Sequence, residues 1–261
     1  MDFGLRGKNV LVLASSKGLG RATAEAYART GANVMISSRS VETLKQTAAE
    51  INEFAEGSIA WLPCDVTRPD DIKKLVDETA QRFGGLDVLV NNAGGPPPGK
   101  FEDLSEEDWD YAYNLNLMST VRAIRYALPY LKVSKGKIVN ITSISMKEPV
   151  EGLLLSNVYR MGITGLAKTL SKEFAEHGIL INTVGPGRID TERVQSLDKK
   201  AAEIENISEE EVRLRSADKI PLGRYGTPNE FANAILFLGS GLNTYITGQM
   251  FVVDGGLSKA Y

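Results

Sequence analysis

One stretch of the chain, Leu13-Ala14-Ser15-Ser16-Lys17-Gly18-Leu19-Gly20-Arg21-Ala22, has the residue types and spacing to hold a pyrophosphate. Small residues make a turn that opens directly into an amphipathic helix. Gly18 and Gly20 let backbone and helix come close to the phosphates, and the unpaired N–H groups and dipole of the helix start attract negative charge. Ser15, Ser16, Lys17 and Leu19 complete the expected cradle. Glycines before a helix are a weak signal alone; a strand before and a helix after strengthen it. Other chemistry is excluded just as directly. The single cysteine, Cys64, has no partner for an internal disulfide, and the single histidine, His177, cannot make a multi-histidine metal site, so no bound metal is expected.

The elements that must position this loop follow from periodicity. Apolar, β-rich runs at Asn9–Leu13, Asn33–Ser37, Ser58–Leu62, Leu86–Val90, Lys137–Ile141, Leu180–Val184 and Met250–Val253 predict strands covered on both faces. Helical spacing at Leu19–Thr30, Val41–Phe54, Pro69–Phe83, Glu106–Leu131, Leu153–Glu176 and Asn229–Leu238 alternates with them. Strand-helix alternation with right-handed crossovers predicts one α/β domain of the doubly wound Rossmann type, a seven-stranded, mostly parallel sheet with helices on both faces. Its ligand crevice lies at the carboxyl ends of the strands, where the winding reverses. The charged insert from Thr191 to Lys219 follows a strand's carboxyl end and is expected to be a helical lid over that crevice.

Composition narrows the partners. The 261 residues are 43% hydrophobic and 24% charged, which excludes a disordered chain and suits a large core. Thirty basic against 33 acidic residues give a formal net charge of −3 with no long block of one sign, so neither nucleic acid nor a membrane surface is an expected partner. No window approaches the ~20 apolar residues that span a bilayer. The start Met1-Asp2-Phe3-Gly4-Leu5-Arg6 lacks the build of a secretory signal, and a cytoplasmic location is expected.

In this frame the chain resembles the short-chain dehydrogenase/reductase family, whose loop carries a Thr-Gly pair where Leu13-Ala14 stand here. Alanine is the smallest residue that could replace the missing glycine, and binding is expected to survive. The resemblance extends over nearly the whole chain. Asp65-Val66 resembles the family's adenine-contacting pair, and Asn91-Asn92-Ala93-Gly94 its adenosine-side motif, which implies cofactor contacts for Asp65, Val66, Asn92, Ala93 and Gly94. Asn116 falls where the family keeps an active-site asparagine and Ser143 on its catalytic serine. Pro186-Gly187 with Ile189 and Thr191 resembles the segment that holds the nicotinamide carboxamide, and Tyr245 to Gln249 with Val253-Asp254-Gly255-Gly256 is similar to its C-terminal strand. The implied cofactor is a nicotinamide dinucleotide.

Which dinucleotide is read at the end of the second strand. An acidic residue there would bond the ribose hydroxyls and repel a 2′-phosphate; this chain has Ile36-Ser37-Ser38-Arg39 instead, with Lys17 in the glycine loop. Ser38, Arg39 and Lys17 suit a phosphate, so NADP(H) is expected ahead of NAD(H).

The catalytic pattern departs from the family. There, a Tyr with a Lys one helical turn later protonates the developing alkoxide and bonds the nicotinamide ribose. Registration through Ser143 and through Gly165 to Leu170 places Ser156 at the Tyr position and Arg160 at the Lys position. Arg160 can still bond the ribose and hold positive potential, but it is a poor proton shuttle, and an alkyl hydroxyl is far less acidic than a phenol. Tyr159 sits about 60° round and ~4.5 Å along from the expected place, and is expected to pack or to cap the pocket; Lys147 is expected to be a surface residue. Two outcomes stay open. One is a reductase in which Ser143, Asn116, Ser156 and Arg160 orient a 3-oxoacyl compound, sugar, cyclic ketone or enone and the proton comes from water or Lys147. The other is a nucleotide-binding or regulatory protein that has lost turnover. Glu151 to Leu155 and Gly94 to Gly99 are expected to wall the substrate side and to suit a substrate with an apolar portion. The two long helices carry apolar residues on much of their circumference, and the resemblance implies a homotetramer or homodimer built on them.

Overall fold

A computed structural model describes residues 2–260. Strands β1 (Asn9–Val12), β2 (Asn33–Ser38), β3 (Ile59–Pro63), β4 (Val88–Asn91), β5 (Lys137–Ile141), β6 (Leu180–Pro186) and β7 (Met250–Val253) form one sheet in the order β3-β2-β1-β4-β5-β6-β7. Each lies within two residues of its predicted bounds. The sheet is wholly rather than mostly parallel, since every registered pair runs the same way. The chain winds outward from β1 to β3, crosses back to β4 and continues to β7. The reversal between β1 and β4 opens a crevice at their carboxyl ends.

Helices cover both faces, as crossovers from fully buried strands require. On one face α1 (Gly18–Ala28), α2 (Val41–Asn52) and α9 (Pro228–Gly239) pack Tyr27, Leu44, Ile51, Phe231 and Ile235 against Val10, Val12 and Ile36. On the other, α3 (Pro69–Phe83), α5 (Ser119–Ser134) and α6 (Leu154–Glu173) pack Ile72, Leu75, Ile124, Leu131 and Ala167 against Leu11, Leu89 and Ile138. The ends of α3 show why such segments stop where they do: Pro69 opens it, Asp70 and Asp71 meet the positive end of its dipole, Arg82 the negative end, and Gly84 closes it at φ 81°. Helix α1 is held from the far end of the chain. The Tyr27 hydroxyl donates to the Ile235 carbonyl at 3.2 Å, and the phenol fills the space a side chain on Gly239 would need.

One predicted segment is more divided than periodicity suggested. The expected helix Glu106–Leu131 is α4 (Glu106–Ala112), a π-helical turn at Tyr113–Met118 and α5. The wider turn re-aims the residues within it, Asn116 among them. The insert after β6 is α7 (Glu192–Glu205) and α8 (Glu209–Asp218), parted by Asn206 in the left-handed region at φ 53° and restarted by Ser208, whose hydroxyl accepts from Glu211 N at 3.1 Å. Among the described residues no helix is long and apolar enough to cross a membrane, and no group of acidic, cysteine and histidine residues is arranged to hold a metal ion.

Candidate functional site

The turn after β1 carries a residue under backbone strain. Ala14 sits at φ 47°, the left-handed region that suits glycine, which costs a non-glycine residue roughly 1–2 kcal/mol. Its neighbours hold it there: the Ala14 carbonyl accepts from Asn92 Nδ2 at 2.9 Å, Ser15 N donates to the Ser37 carbonyl at 2.7 Å, and the Ser15 hydroxyl donates to Val12 O at 2.7 Å. Ser15 is completely buried, so it anchors the turn from behind instead of facing a ligand. Gly20 also works from below. A Cβ there would lie 2.5 Å from the Ala14 carbonyl oxygen and 2.7 Å from Asn92 Nδ2. Helix α1 starts without a side-chain cap or an acidic residue in its first turn, leaving the positive end of its dipole open to an anion.

A crevice of about 1160 Å³ runs over this helix start, room for a dinucleotide with a small substrate beside it. It brings together Ser16, Lys17, Gly18, Leu19, Ser38, Arg39, Asp65, Val66, Asn92, Ala93, Gly94, Ser143, Ser156, Arg160, Pro186, Gly187, Ile189 and Thr191. Of the expected site residues, Ser15, Gly20 and Asn116 stand behind its surface. Arg39 is exposed beside Ser38 at the end of β2, and Lys17 Nζ pairs with Glu192 of α7 at 3.1 Å. Cys64 lines the same end; burial, then Asp71 and Asp65, pushes its thiol up to about 12, which keeps it protonated and unreactive at neutral pH.

At the other end Ser143 caps the short turn Ile144–Met146, its hydroxyl accepting from Ser145 N at 3.2 Å. The Ser156 hydroxyl is 3.4 Å from that of Ser145, a buried partner that sequence reasoning missed because nothing in the local pattern marks it. One turn further along α6, Arg160 is 5% exposed and donates to the carbonyls of Ile141 at 3.0 Å and of Ala93 and Gly94 at 3.4 Å each. Asn116, on the π-helical turn, donates to the same Gly94 carbonyl at 2.9 Å. Arg160 Nε and Asn116 Oδ1 are buried without a partner. Burial, and after it the neighbouring charge of Arg193, lowers the Arg160 pKa to about 10, so the guanidinium stays charged at neutral pH.

Tyr159 points away, donating to the Trp109 carbonyl at 3.1 Å and packing edge-on to its ring, so it packs and does not cap the pocket. Lys147 does not line the crevice. The expected substrate wall is only partly right: Gly94, Gly95, Pro96, Glu151 and Leu153 face the crevice, whereas Leu155 belongs to the core and Pro97 to Gly99 do not line it, Gly99 N donating instead to the Gly152 carbonyl at 2.8 Å. Tyr111, Leu115, Pro149, Val150, Val194, Leu197 and Leu257, none of them singled out in the sequence, complete that wall. The insert contributes Thr191, Glu192, Arg193, Val194, Leu197 and Lys219. It is held to the sheet by buried Asp198, which accepts from Arg188 and, at 2.9 Å, from the Tyr225 hydroxyl, and by a two-pronged Arg213–Asp190 pair.

A doubly wound sheet with a glycine cradle at its switch point and a serine-arginine cluster beside it defines an oxidoreductase of the dinucleotide-binding class. A family model described as enoyl-(acyl carrier protein) reductase matches residues 13–258. The chain is 36% identical over 254 residues to the 3-oxoacyl-[acyl-carrier-protein] reductase FabG of Thermotoga maritima, spanning 97% of this chain and 98% of that one. L-sorbose reductase from Gluconobacter frateurii, solved with NADPH and L-sorbose, matches over 100% of both chains with a TM-score of 0.95 at 30% identity. An actinorhodin polyketide ketoreductase solved with NADPH matches over 97% of each chain, with a TM-score of 0.92 at 31% identity. The chain belongs to the short-chain dehydrogenase/reductase family.

Proposed function

We propose that this protein is an NADP(H)-dependent carbonyl or enone reductase that works without the family's Tyr-Lys pair. The observation that carries the proposal is the placing of Arg160: a charged guanidinium fixed on three carbonyls in the floor of the crevice that Ser143 also lines. A protein that merely stored a nucleotide would have no use for a serine hydroxyl and a buried cation at that end.

The residues fit the cofactor, since the cradle over Gly20 has no space for a side chain and Arg39 closes β2 where an acidic residue would exclude a 2′-phosphate. When bound, the dihydronicotinamide supplies the hydride. Ser16 to Leu19 hold the diphosphate and Ser38 and Arg39 the 2′-phosphate; Asp65, Val66, Asn92 and Ala93 line the adenosine side. Pro186, Gly187, Ile189 and Thr191 hold the carboxamide. Ser143 and Ser156 orient the substrate oxygen. Arg160 stabilises negative charge that develops on it and bonds the ribose, while Asn116 fixes the Gly94 carbonyl that Arg160 shares. Because Arg160 keeps its proton and neither serine is a competent acid, the proton comes from water; an enone suits such a site, as hydride adds at carbon and the enolate needs only a weak acid. The insert acts as a lid, and Val158 and Met161, left exposed on α6, suit a face used in a homotetramer or homodimer in the cytoplasm.

Turnover of NADPH against a panel of ketones and enones tests the reading. We expect oxidation that Ser143→Ala lowers by about a hundred-fold, the usual scale for removing one positioned donor. Tight NADPH binding with no oxidation across the panel would establish the non-catalytic alternative. In the same assay Arg39→Asp should weaken NADP(H) by about a hundred-fold, through loss of a charge-assisted bond and a new repulsion, with little change for NAD(H); an unaltered preference contradicts the assignment of the 2′-phosphate to Arg39.

A further inference from the structure

The lid carries a charge that the reading above leaves without a task. Arg193, in the first turn of α7, reaches across the crevice and donates from Nη2 to the Pro96 carbonyl at 3.0 Å. Its guanidinium lies against Gly95, where a Cβ would stand 2.8 Å from Nη2 and 2.9 Å from Nε. Arg160 reaches the same loop from α6, on the carbonyls of Ala93 and Gly94. Two cations therefore hold successive residues of the loop 93–96, close enough for Arg193 to help depress the Arg160 pKa. Carbonyl dipoles satisfy their N–H groups but do not cancel their net charge.

None of the crevice carboxylates pairs with Arg160 or Arg193. Glu192 pairs with Lys17, Glu148 accepts from Ser258 and from the Lys259 backbone, and Asp65 accepts from Thr67. Glu151 is exposed on its loop and bonds to neither arginine. Among the described residues neither Arg160 nor Arg193 joins an ion pair, and Arg160 Nε is buried with no partner. Arg193 is exposed at the lid edge and Arg160 is buried in the floor, so an anionic ligand entering the crevice meets both charges.

We propose that the substrate is a carbonyl compound bearing a carboxylate, which Arg193 takes at the lid side while Arg160 adds its field from the floor. The planar fork of Arg193 matches two carboxylate oxygens. The apolar part of the substrate lies along Val150, Leu153 and Leu197. This rests on the reductase reading and adds to it the charge of what is reduced.

Two measurements on the full chain test it. The first compares NADPH-dependent turnover of 3-oxocyclohexanecarboxylate and its methyl ester by the parent, Arg193→Gln and Arg193→Lys. The acid should exceed the ester about ten-fold or more in kcat/KM, mostly through KM, as one charge-assisted contact allows. That ratio should fall to near parity in Arg193→Gln and recover in part in Arg193→Lys. Equal use of acid and ester by the parent, or a ratio unchanged in Arg193→Gln, overturns the proposal; an equal loss on both substrates is such an unchanged ratio. The second is calorimetric titration of the NADP⁺-saturated protein with cyclohexanecarboxylate and with cyclohexanecarboxamide. Heat for the carboxylate alone, abolished in Arg193→Gln, upholds the site even where neither ketone turns over, in which event only the reductase reading falls. Absence of carboxylate binding overturns the proposal whatever the turnover.

Discussion

Gly20→Ala is expected to weaken NADPH binding by about a hundred-fold in calorimetry and to lower the melting temperature by roughly 5 °C. The added methyl would stand 2.5 Å from the Ala14 carbonyl, 2.7 Å from Asn92 Nδ2 and 2.9 Å from Ser15 Cα. None of these can yield cheaply. Ala14 is already in the left-handed region, and Ser15 is tied to β1 and β2 by buried bonds. Overpacking of this kind costs about 1–3 kcal/mol, and each 1.4 kcal/mol is ten-fold in affinity, so the turn moves and the amides lose the phosphates. Gly18→Ala is the contrast. Its Cβ meets nothing nearer than Thr191 Cγ2 at 3.7 Å, and only the strain of φ 55° is added, so a loss of about ten-fold is expected. Equal effects at the two glycines would contradict the packing argument.

Arg160→Met should reduce kcat by a hundred- to a thousand-fold, the scale seen when a preorganised charge facing the developing oxyanion is removed. Stability should change far less. The substitution takes away the bonds to Ile141, Ala93 and Gly94, but it also ends the burial of a cation that no carboxylate balances, and these effects oppose each other at several kcal/mol apiece. The Gly94 carbonyl keeps Asn116 as a donor. A melting temperature within a few degrees of the parent, together with the lost turnover, separates a chemical role from a structural one. A variant that turned over like the parent would remove Arg160 from the mechanism.

The sheet was legible because its signal is local. Each strand is a short apolar run, and burial on both faces follows from helices that the same sequence spells out between the runs. The gathering of Ser16 to Leu19 and Ser38-Arg39 on the crevice was legible for the same reason, since the first follow β1 into α1 and the second stand at the end of β2. Periodicity failed at Tyr113–Met118, where a turn one residue wider leaves the order of apolar and polar positions almost unaltered while re-aiming Asn116. The division of the insert into α7 and α8 was not readable from its charged composition, because it depends on one residue, Asn206, adopting a positive φ. Ser145 and Arg193 were out of reach for another reason: each acquires its role from a partner brought near only by tertiary folding, Ser156 for the first and Pro96 for the second.

The lodging of Tyr27 against Gly239 and Ile235 makes the phosphate helix thermodynamically hostage to a segment more than 200 residues downstream. Coenzyme that binds only the assembled arrangement must tighten α9 onto α1, and by reciprocity whatever loosens α9 must release coenzyme. Protection of the α9 amides from hydrogen exchange therefore reports saturation of a pocket that this helix does not line.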